Sequence, residues 1–275
     1  MKFKPNVFLS HGSIYAAQVA WLFGKPHISL EDSGNMEQIK IYLPFTKVVL
    51  TPDVLPIYLG KKQIRYKGYH ELAYLHPKYF SPEKSILSEL RISNNQEYTI
   101  LRFVSWKATH DKGNKGLTIV EKQELIDYLI SKKLKVFISS ETDLPNEFLN
   151  YQIKISPNKI HHVLAFARIV ISEGATIASE SGVLGTPAIY VNSIERCYNE
   201  DQEKNYGTVT NFRTGNGVLE KVEQLLSEKG KVHSFNREML KDKIDVTAFM
   251  VWFVVNYPES FNILKKNPGY QLMFK

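Results

Sequence analysis

The chain reads Ile171-Ser172-Glu173-Gly174-Ala175-Thr176-Ile177-Ala178-Ser179-Glu180, followed by Gly182, Gly185, Thr186 and Pro187. An apolar strand runs into a turn of small residues and a helix follows. The turn therefore presents unpaired backbone N–H groups and the positive end of a helix at the carboxyl edge of a sheet. Such an edge suits an anion. Gly174 permits close backbone approach, Thr176 adds a hydroxyl, and Glu180 lies a turn further along the same face, where a carboxylate can accept from a sugar or ribose diol. An ordinary strand-to-helix junction with Glu180 in solvent fits the same residues, so both readings stay open.

Outward from this segment, short apolar runs alternate with helical periodicity. The pattern predicts strands at 98–104, 135–138, 169–171 and 188–191 and a short one at 154–155. Helices are expected at 119–131, 161–167 and 176–184, with mostly helix from 218 onward. An earlier block has the same character, with strands at 7–9, 27–30 and 47–50 and helices at 14–21 and 36–43. Strands alternating with helices predict βαβ units and parallel sheets. Residues 76–95 turn polar around Pro77, Pro82 and Asn94-Asn95 and read as a connector. The first block offers few strands beside the five or six, roughly, of a complete doubly wound sheet, so its domain reads as shortened. Domains are expected at 1–95, 96–232 and 233–275, the last being helices that pack back on the first.

The 275 residues correspond to about 1.8 ordinary domains. With 43% apolar and 23% charged residues the chain is neither disordered nor fibrous. The net charge of +7 suits phosphates, anionic lipid or nucleic acid without choosing among them. Basic residues are spread along the chain and no nucleic-acid motif occurs, so no nucleic-acid partner is expected. The single cysteine, Cys197, cannot form an internal disulfide and fits a reducing compartment. Lys2 and Lys4 precede an apolar stretch, but Ser10, His11 and Gly12 interrupt it, unlike a secretory leader. The apolar run 248–255 is far short of the ~20 residues of a membrane helix. The expectation is a cytoplasmic protein, with membrane contact through the last helices as the minority reading.

His11 falls between a strand end and a helix start, where the dipole favours the neutral imidazole a general base needs; a loop histidine without a role fits equally. Glu31 and Asp32 follow the next strand at the same edge. Asp32 or Ser33 suits a helix cap, which leaves Glu31 as the stronger catalytic candidate beside His11. His161-His162 has no third ligand at zinc spacing, and neither H-E-x-x-H nor D-x-D occurs, so no metal and no cofactor are expected.

The turn Ser172 to Thr176, Ser179-Glu180 and Gly185-Thr186-Pro187 resemble the nucleotide-sugar segment of GT-B glycosyltransferases. The chain as a whole resembles a prokaryotic GT-B-like family classed as a domain of unknown function. That family is akin to the glycosyltransferase that adds N-acetylglucosamine to lipid-linked muropeptide and to UDP-N-acetylglucosamine 2-epimerase. The likeness runs through 5–32, 68–72, 103–106 and His161-His162 and covers nearly the whole chain. It implies an α/β, GT-B-like architecture of two Rossmann-like parallel-sheet domains, the N-terminal one shortened. It also implies that Glu180 holds ribose hydroxyls, that Gly174, Ala175 and Thr176 cradle a diphosphate, and that Ile155 neighbours the base. Ser105 and Trp106, with Lys107 and His110 beyond them, would face the same ligand, and His11, Ser13, Glu31 and Asp32 the acceptor. Tyr69-His70-Glu71 falls where GT-B proteins line their cleft.

The expected function is metal-independent transfer from a UDP-sugar, a substrate rather than a cofactor, to a lipid-linked or surface-glycan acceptor. A 2-epimerase is the second reading. The third is a non-catalytic nucleotide-sugar module, or a fragment whose missing N-terminal half-domain comes from a partner chain.

Overall fold

The computed structural model describes residues 4–93, 95–104, 116–228 and 235–275. In chain order its main elements are β1 (Phe8–His11), α1 (Ile14–Leu22), β2 (His27–Leu30), α2 (Met36–Tyr42), β3 (Val48–Pro52), β4 (Gln63–Tyr66), α3 (Leu72–Leu75), α4 (Ser85–Glu89), β5 (Tyr98–Phe103), α5 (Ile119–Ser131), β6 (Lys135–Ser140), α6 (Ile160–Phe166), β7 (Ile169–Ser172), α7 (Ala175–Leu184), β8 (Ala188–Val191), α8 (Cys197–Tyr206), β9 (Val209–Phe212), α9 (Val218–Ser227), α10 (Phe235–Asp242), α11 (Val246–Val255) and α12 (Glu259–Lys266). The chain divides into two compact units, one of residues 1–74 and 240–275, the other of residues 75–239.

The first unit holds a parallel sheet in the order β1-β2-β3-β4. Its register pairs Ser10 with Ser29 and Leu30 with Leu50. Every residue of β3 is buried, as expected of a strand covered on both faces. Ala17 and Ala20, fully buried on α1, let that helix lie close against its neighbours. The last segment of the chain completes this unit. Phe249 of α11 packs on Tyr66 and on Phe274, at ring-centroid distances of 5.9 and 5.8 Å. Lys265 donates to the carbonyl of Gln63 at 2.9 Å.

The second unit holds a five-stranded parallel sheet in the order β6-β5-β7-β8-β9. Residues of alternate parity feed two apolar clusters. Leu101, Ile171 and Ile189 join one, and Ile100, Val170 and Ala188 the other. The chain runs from β5 to β6 on one side and then returns to place β7 on the other. The topological switch point therefore lies between β5 and β7, where open α/β sheets bind ligands at their carboxyl ends.

Both parallel sheets are as the alternation predicts, and the described residues hold further elements, among them β4, α8 and β9. β4 was invisible because Gln63-Ile64-Arg65-Tyr66 carries two polar side chains, which are satisfied internally: Gln63 donates to Thr51 at 2.9 Å, and Arg65 to the carbonyl of Leu55 at 2.6 Å. α8 and β9 likewise lie in polar sequence, at 197–212. Residues 154–155 form no strand. The nearby contact is a single bridge between Ile138 and Gln152.

His27 sets the spacing of β1 and α2 from inside. Its Nε2 lies 2.8 Å from the Ser10 hydroxyl and its Nδ1 2.8 Å from the Thr46 hydroxyl, and it is fully buried. Thr46 donates to the carbonyl of Tyr42 at 3.0 Å, so it accepts from Nδ1–H, and Nε2 accepts from Ser10. The imidazole is held neutral, and burial lowers its pKa from 6.5 to about 4. Unfolded chains take up this proton below about pH 6.5, whereas the folded state resists it down to about 4. The stabilisation is thus complete above that window and is lost as pH falls through it. Between pH 7 and pH 5, urea denaturation of the parent should show a loss about 2 kcal/mol larger than that of His27→Gln.

Candidate functional site

In the second unit, the turn between β7 and α7 is built from its own side chains. Ser172 Oγ accepts from the Gly174 N–H at 3.0 Å and donates to the Gly174 carbonyl at 2.6 Å. A Cβ on Gly174 would meet Val104 at 3.3 Å, tighter than most side chains allow. α7 starts at Gly174 with no side chain capping it. Gly174 and Ala175 are half-buried and Thr176 exposed, so the first turn offers its backbone N–H groups outward.

Glu173 and Ser179 face inward. Glu173 is 1% exposed and accepts from the N–H groups of Val104 at 3.1 Å and Leu117 at 2.9 Å, with the Lys122 ammonium 3.0 Å away. It braces the two ends of the segment joining β5 to α5. Ser179 is fully buried and accepts from Gln202 at 2.6 Å. Glu180, 6% exposed, lies 3.0 Å from His161 Nε2. His161 packs edge-on against Phe80, which also lies 4.9 Å from the ring of His162.

The second unit also holds a pocket of about 340 Å³, with Ile155, Ile160 and Ile177 as apolar wall and Arg102, Ser139 and Gln152 as polar rim. Ile177 precedes Glu180 by one helical turn on α7, and Ile160 precedes His161 directly on α6. Ile155 thus shares a pocket with Ile177 of α7. Ser105, Trp106, Lys107 and His110 lie outside the described residues.

In the first unit, three side chains from one strand end and two loops meet at the carboxyl end of the sheet. His11 ends β1, Asp32 follows β2, and His70 follows β4. His11 Nε2 is 3.1 Å and His70 Nδ1 3.6 Å from the Asp32 carboxylate, and the imidazole rings meet edge-on at 4.7 Å. The Tyr66 hydroxyl lies 3.0 Å from His70 Nδ1. The hydrogen bond to Asp32 raises the His11 pKa against the opposing effect of burial. Burial works to raise Asp32, but the His11 hydrogen bond and the two histidine charges hold it below its ordinary value. Burial lowers His70, with Asp32 opposing.

Glu31, next to Asp32 in sequence, does something different. It is 2% exposed, and Oε1 accepts from the Ser33 N–H at 2.9 Å, the Ser33 hydroxyl at 2.6 Å and the Gly34 N–H at 3.0 Å. Tyr42 donates to Oε2 at 2.8 Å. Burial, with this carboxylate alongside, pushes the Tyr42 hydroxyl far above its usual range. Ser13 caps α1 by accepting from Ala16 at 3.2 Å. The cap of α2 is Asn35, which accepts from Gln38 at 3.3 Å. Asp32 does not cap it, contrary to expectation, because the Glu31-braced turn carries the chain on to Asn35 before the helix begins.

Arg102, Ser139 and Gln152 gave no sequence signal, since each is a polar residue in or beside an apolar run. Tyr66 and Lys122 were equally silent.

The family model described as Protein of unknown function (DUF354) matches residues 1–257. The chain belongs to this family. No curated protein matches it in sequence. Among solved structures, the chain is similar to UDP-GlcNAc 2-epimerase from Neisseria meningitidis bound to UDP-GlcNAc, with a TM-score of 0.63 at 13% identity over 92% of this chain and 77% of that one. It is similar to UDP-N-acetylglucosamine 2-epimerase from Rickettsia bellii, with a TM-score of 0.61 at 17% identity over 97% and 76%. A glycotransferase of kitacinnamycin gives a TM-score of 0.52 at 13% identity over 89% and 74%. At these identities the likeness is one of fold, and the fold is GT-B-like.

The bracing role of Glu173 is open to test. Glu173→Gln leaves the buried Lys122 uncompensated and should cost about 3 kcal/mol in chemical denaturation. Adding Lys122→Met should recover part of that loss. Equal stability of parent and single variant would remove the brace.

Proposed function

We propose that this DUF354 protein processes a nucleoside-diphosphate sugar, with a UDP-sugar as donor and transfer to a lipid-linked or glycan acceptor as the reaction. The observation that carries the reading is the uncapped first turn of α7 beside the Glu180–His161 pair and the aliphatic pocket. These supply the three chemistries a nucleotide requires. Backbone N–H groups of Ala175 and Thr176 receive the diphosphate, with the helix dipole adding to them. Glu180 accepts from the ribose diol while His161 holds the carboxylate. The base lies against Ile155 and Ile177, with Ser139 and Gln152 at its polar edge.

On this reading the leaving diphosphate is stabilised by fixed dipoles and needs no metal of its own. In the first unit, the His11–Asp32 pair is suited to take a proton from a hydroxyl, with Asp32 orienting the ring and stabilising the imidazolium that forms. Glu31, with both carboxylate oxygens already accepting, holds the turn that carries Asp32. An epimerase is the second reading, favoured by the likeness to solved UDP-GlcNAc 2-epimerases. Incubation with UDP-GlcNAc and no acceptor separates the two, since an epimerase alone yields the manno epimer.

Calorimetric titration with UDP checks the site. Glu180→Ala should weaken binding about tenfold or more, the worth of hydrogen bonds to a charged group. Thr176→Trp should block the first turn and abolish binding. Parent-like affinity in both variants would sink the assignment. If UDP binds, His11→Gln should lower turnover with the UDP affinity unchanged.

A further inference from the structure

His11, Asp32 and His70 each offer a ligand atom, and the three atoms lie within 4.8 Å of one another. We propose that this trio binds one divalent transition cation of the Zn²⁺ class. The site does not depend on the function proposed above, though its effect on turnover does.

Geometry is the first support. Tetrahedral Zn²⁺ with bonds of about 2.0–2.1 Å sets its ligand atoms roughly 3.3 Å apart. The His11 Nε2–Asp32 separation of 3.1 Å lies close to that value. The donors come from the end of β1 and from the loops after β2 and β4, so a cation would tie the ends of these strands together.

The second support is His70 itself. One ring nitrogen meets Tyr66, and the other, Nε2, is buried with no hydrogen-bond partner among the described residues. An imidazole fixed through one nitrogen is the usual posture of a metal ligand. A His11–Asp32 pair acting alone would give His70 no task, yet the loop is built to deliver it. Gly68, two residues earlier, admits no side chain, because a Cβ there would come within 2.5 Å of Val246.

Two imidazoles and one carboxylate form a borderline donor set. It favours Zn²⁺, Co²⁺, Ni²⁺ or Fe²⁺ over Mg²⁺ and Ca²⁺, which prefer all-oxygen surroundings. Three protein ligands leave a position for water or another ligand. His11 is half-exposed, so a cation can enter from solvent. With the cation bound, the His11 lone pair is in a metal bond and cannot accept a proton. The cation therefore inhibits the reaction proposed above, and a chelator restores it.

The test is a Zn²⁺ titration of the full chain by calorimetry, with Co²⁺ absorption as a readout independent of activity and Mg²⁺ as the contrast. One Zn²⁺ per chain is expected, with Mg²⁺ at least a hundredfold weaker. His11→Gln and His70→Gln should each weaken Zn²⁺ at least tenfold, and Tyr66→Phe about tenfold. The exposure of His11 keeps the first variant folded, which circular dichroism checks. The absence of saturable one-to-one binding, or unchanged affinity in either histidine variant, would overturn the site. Glu180→Ala, in the other unit, should leave Zn²⁺ binding intact, so failure of the nucleotide reading is distinguishable from failure of this one.

Discussion

The packing of Phe249 on Tyr66 joins the last part of the chain to the first, and the polar cluster of the first unit hangs from it. A parallel sheet cannot leave its faces in water, and β4 gains its cover from a segment some two hundred residues later. Tyr66 is fully buried there, and its hydroxyl holds His70, which meets Asp32, which meets His11. The loop between Tyr66 and His70 is pinned by the same segment. Ile244 donates to the carbonyl of Lys67 at 2.9 Å, and Lys67 reaches Asp242 at 2.6 Å. Apolar packing at the end of the chain thus decides where a histidine at its first quarter points.

The acidic residues divide into two kinds by the same logic. Glu31 and Glu173 are buried carboxylates whose oxygens are taken by backbone N–H groups and by Tyr42 or Lys122, and each closes a loop. Asp32 and Glu180 each face a histidine. Adjacent residues on an extended chain project in opposite directions, so Glu31 turns into the structure while Asp32 turns towards the end of the sheet. Both sheets use the carboxyl ends of their strands, where loops are free to carry chemistry because the strands have already fixed their positions. Among the described residues, no helix is long and apolar enough to cross a membrane.

Much of the architecture was legible because parallel strands, buried on both faces, appear as plain apolar runs such as Val48-Val49-Leu50 and Ile169-Val170-Ile171. The α7 turn was legible because small residues between a strand and a helix leave few alternatives. β4 and β9 were not, since edge strands carry polar residues whose partners lie elsewhere in the fold: Gln63 with Thr51, and Asn211 with Glu203. Glu31 reads in the sequence as the stronger catalytic candidate, and the structure gives both of its oxygens hydrogen bonds, because a sequence does not show which neighbour a carboxylate will accept from.

Sequence by itself determined the two βαβ blocks, the anion-suited turn at Gly174, the presence of His11 and Asp32 at strand ends and that of Glu180 on the helix after the turn. These follow from local periodicity and from the few residues that tolerate such turns. Tertiary structure alone decided that His70 joins His11 and Asp32, that His161 meets Glu180, and that Glu173 braces a loop instead of facing a ligand. Each is a contact between residues far apart in the chain, fixed by strand order and by which apolar surfaces must be covered, and none is written in any local stretch of sequence.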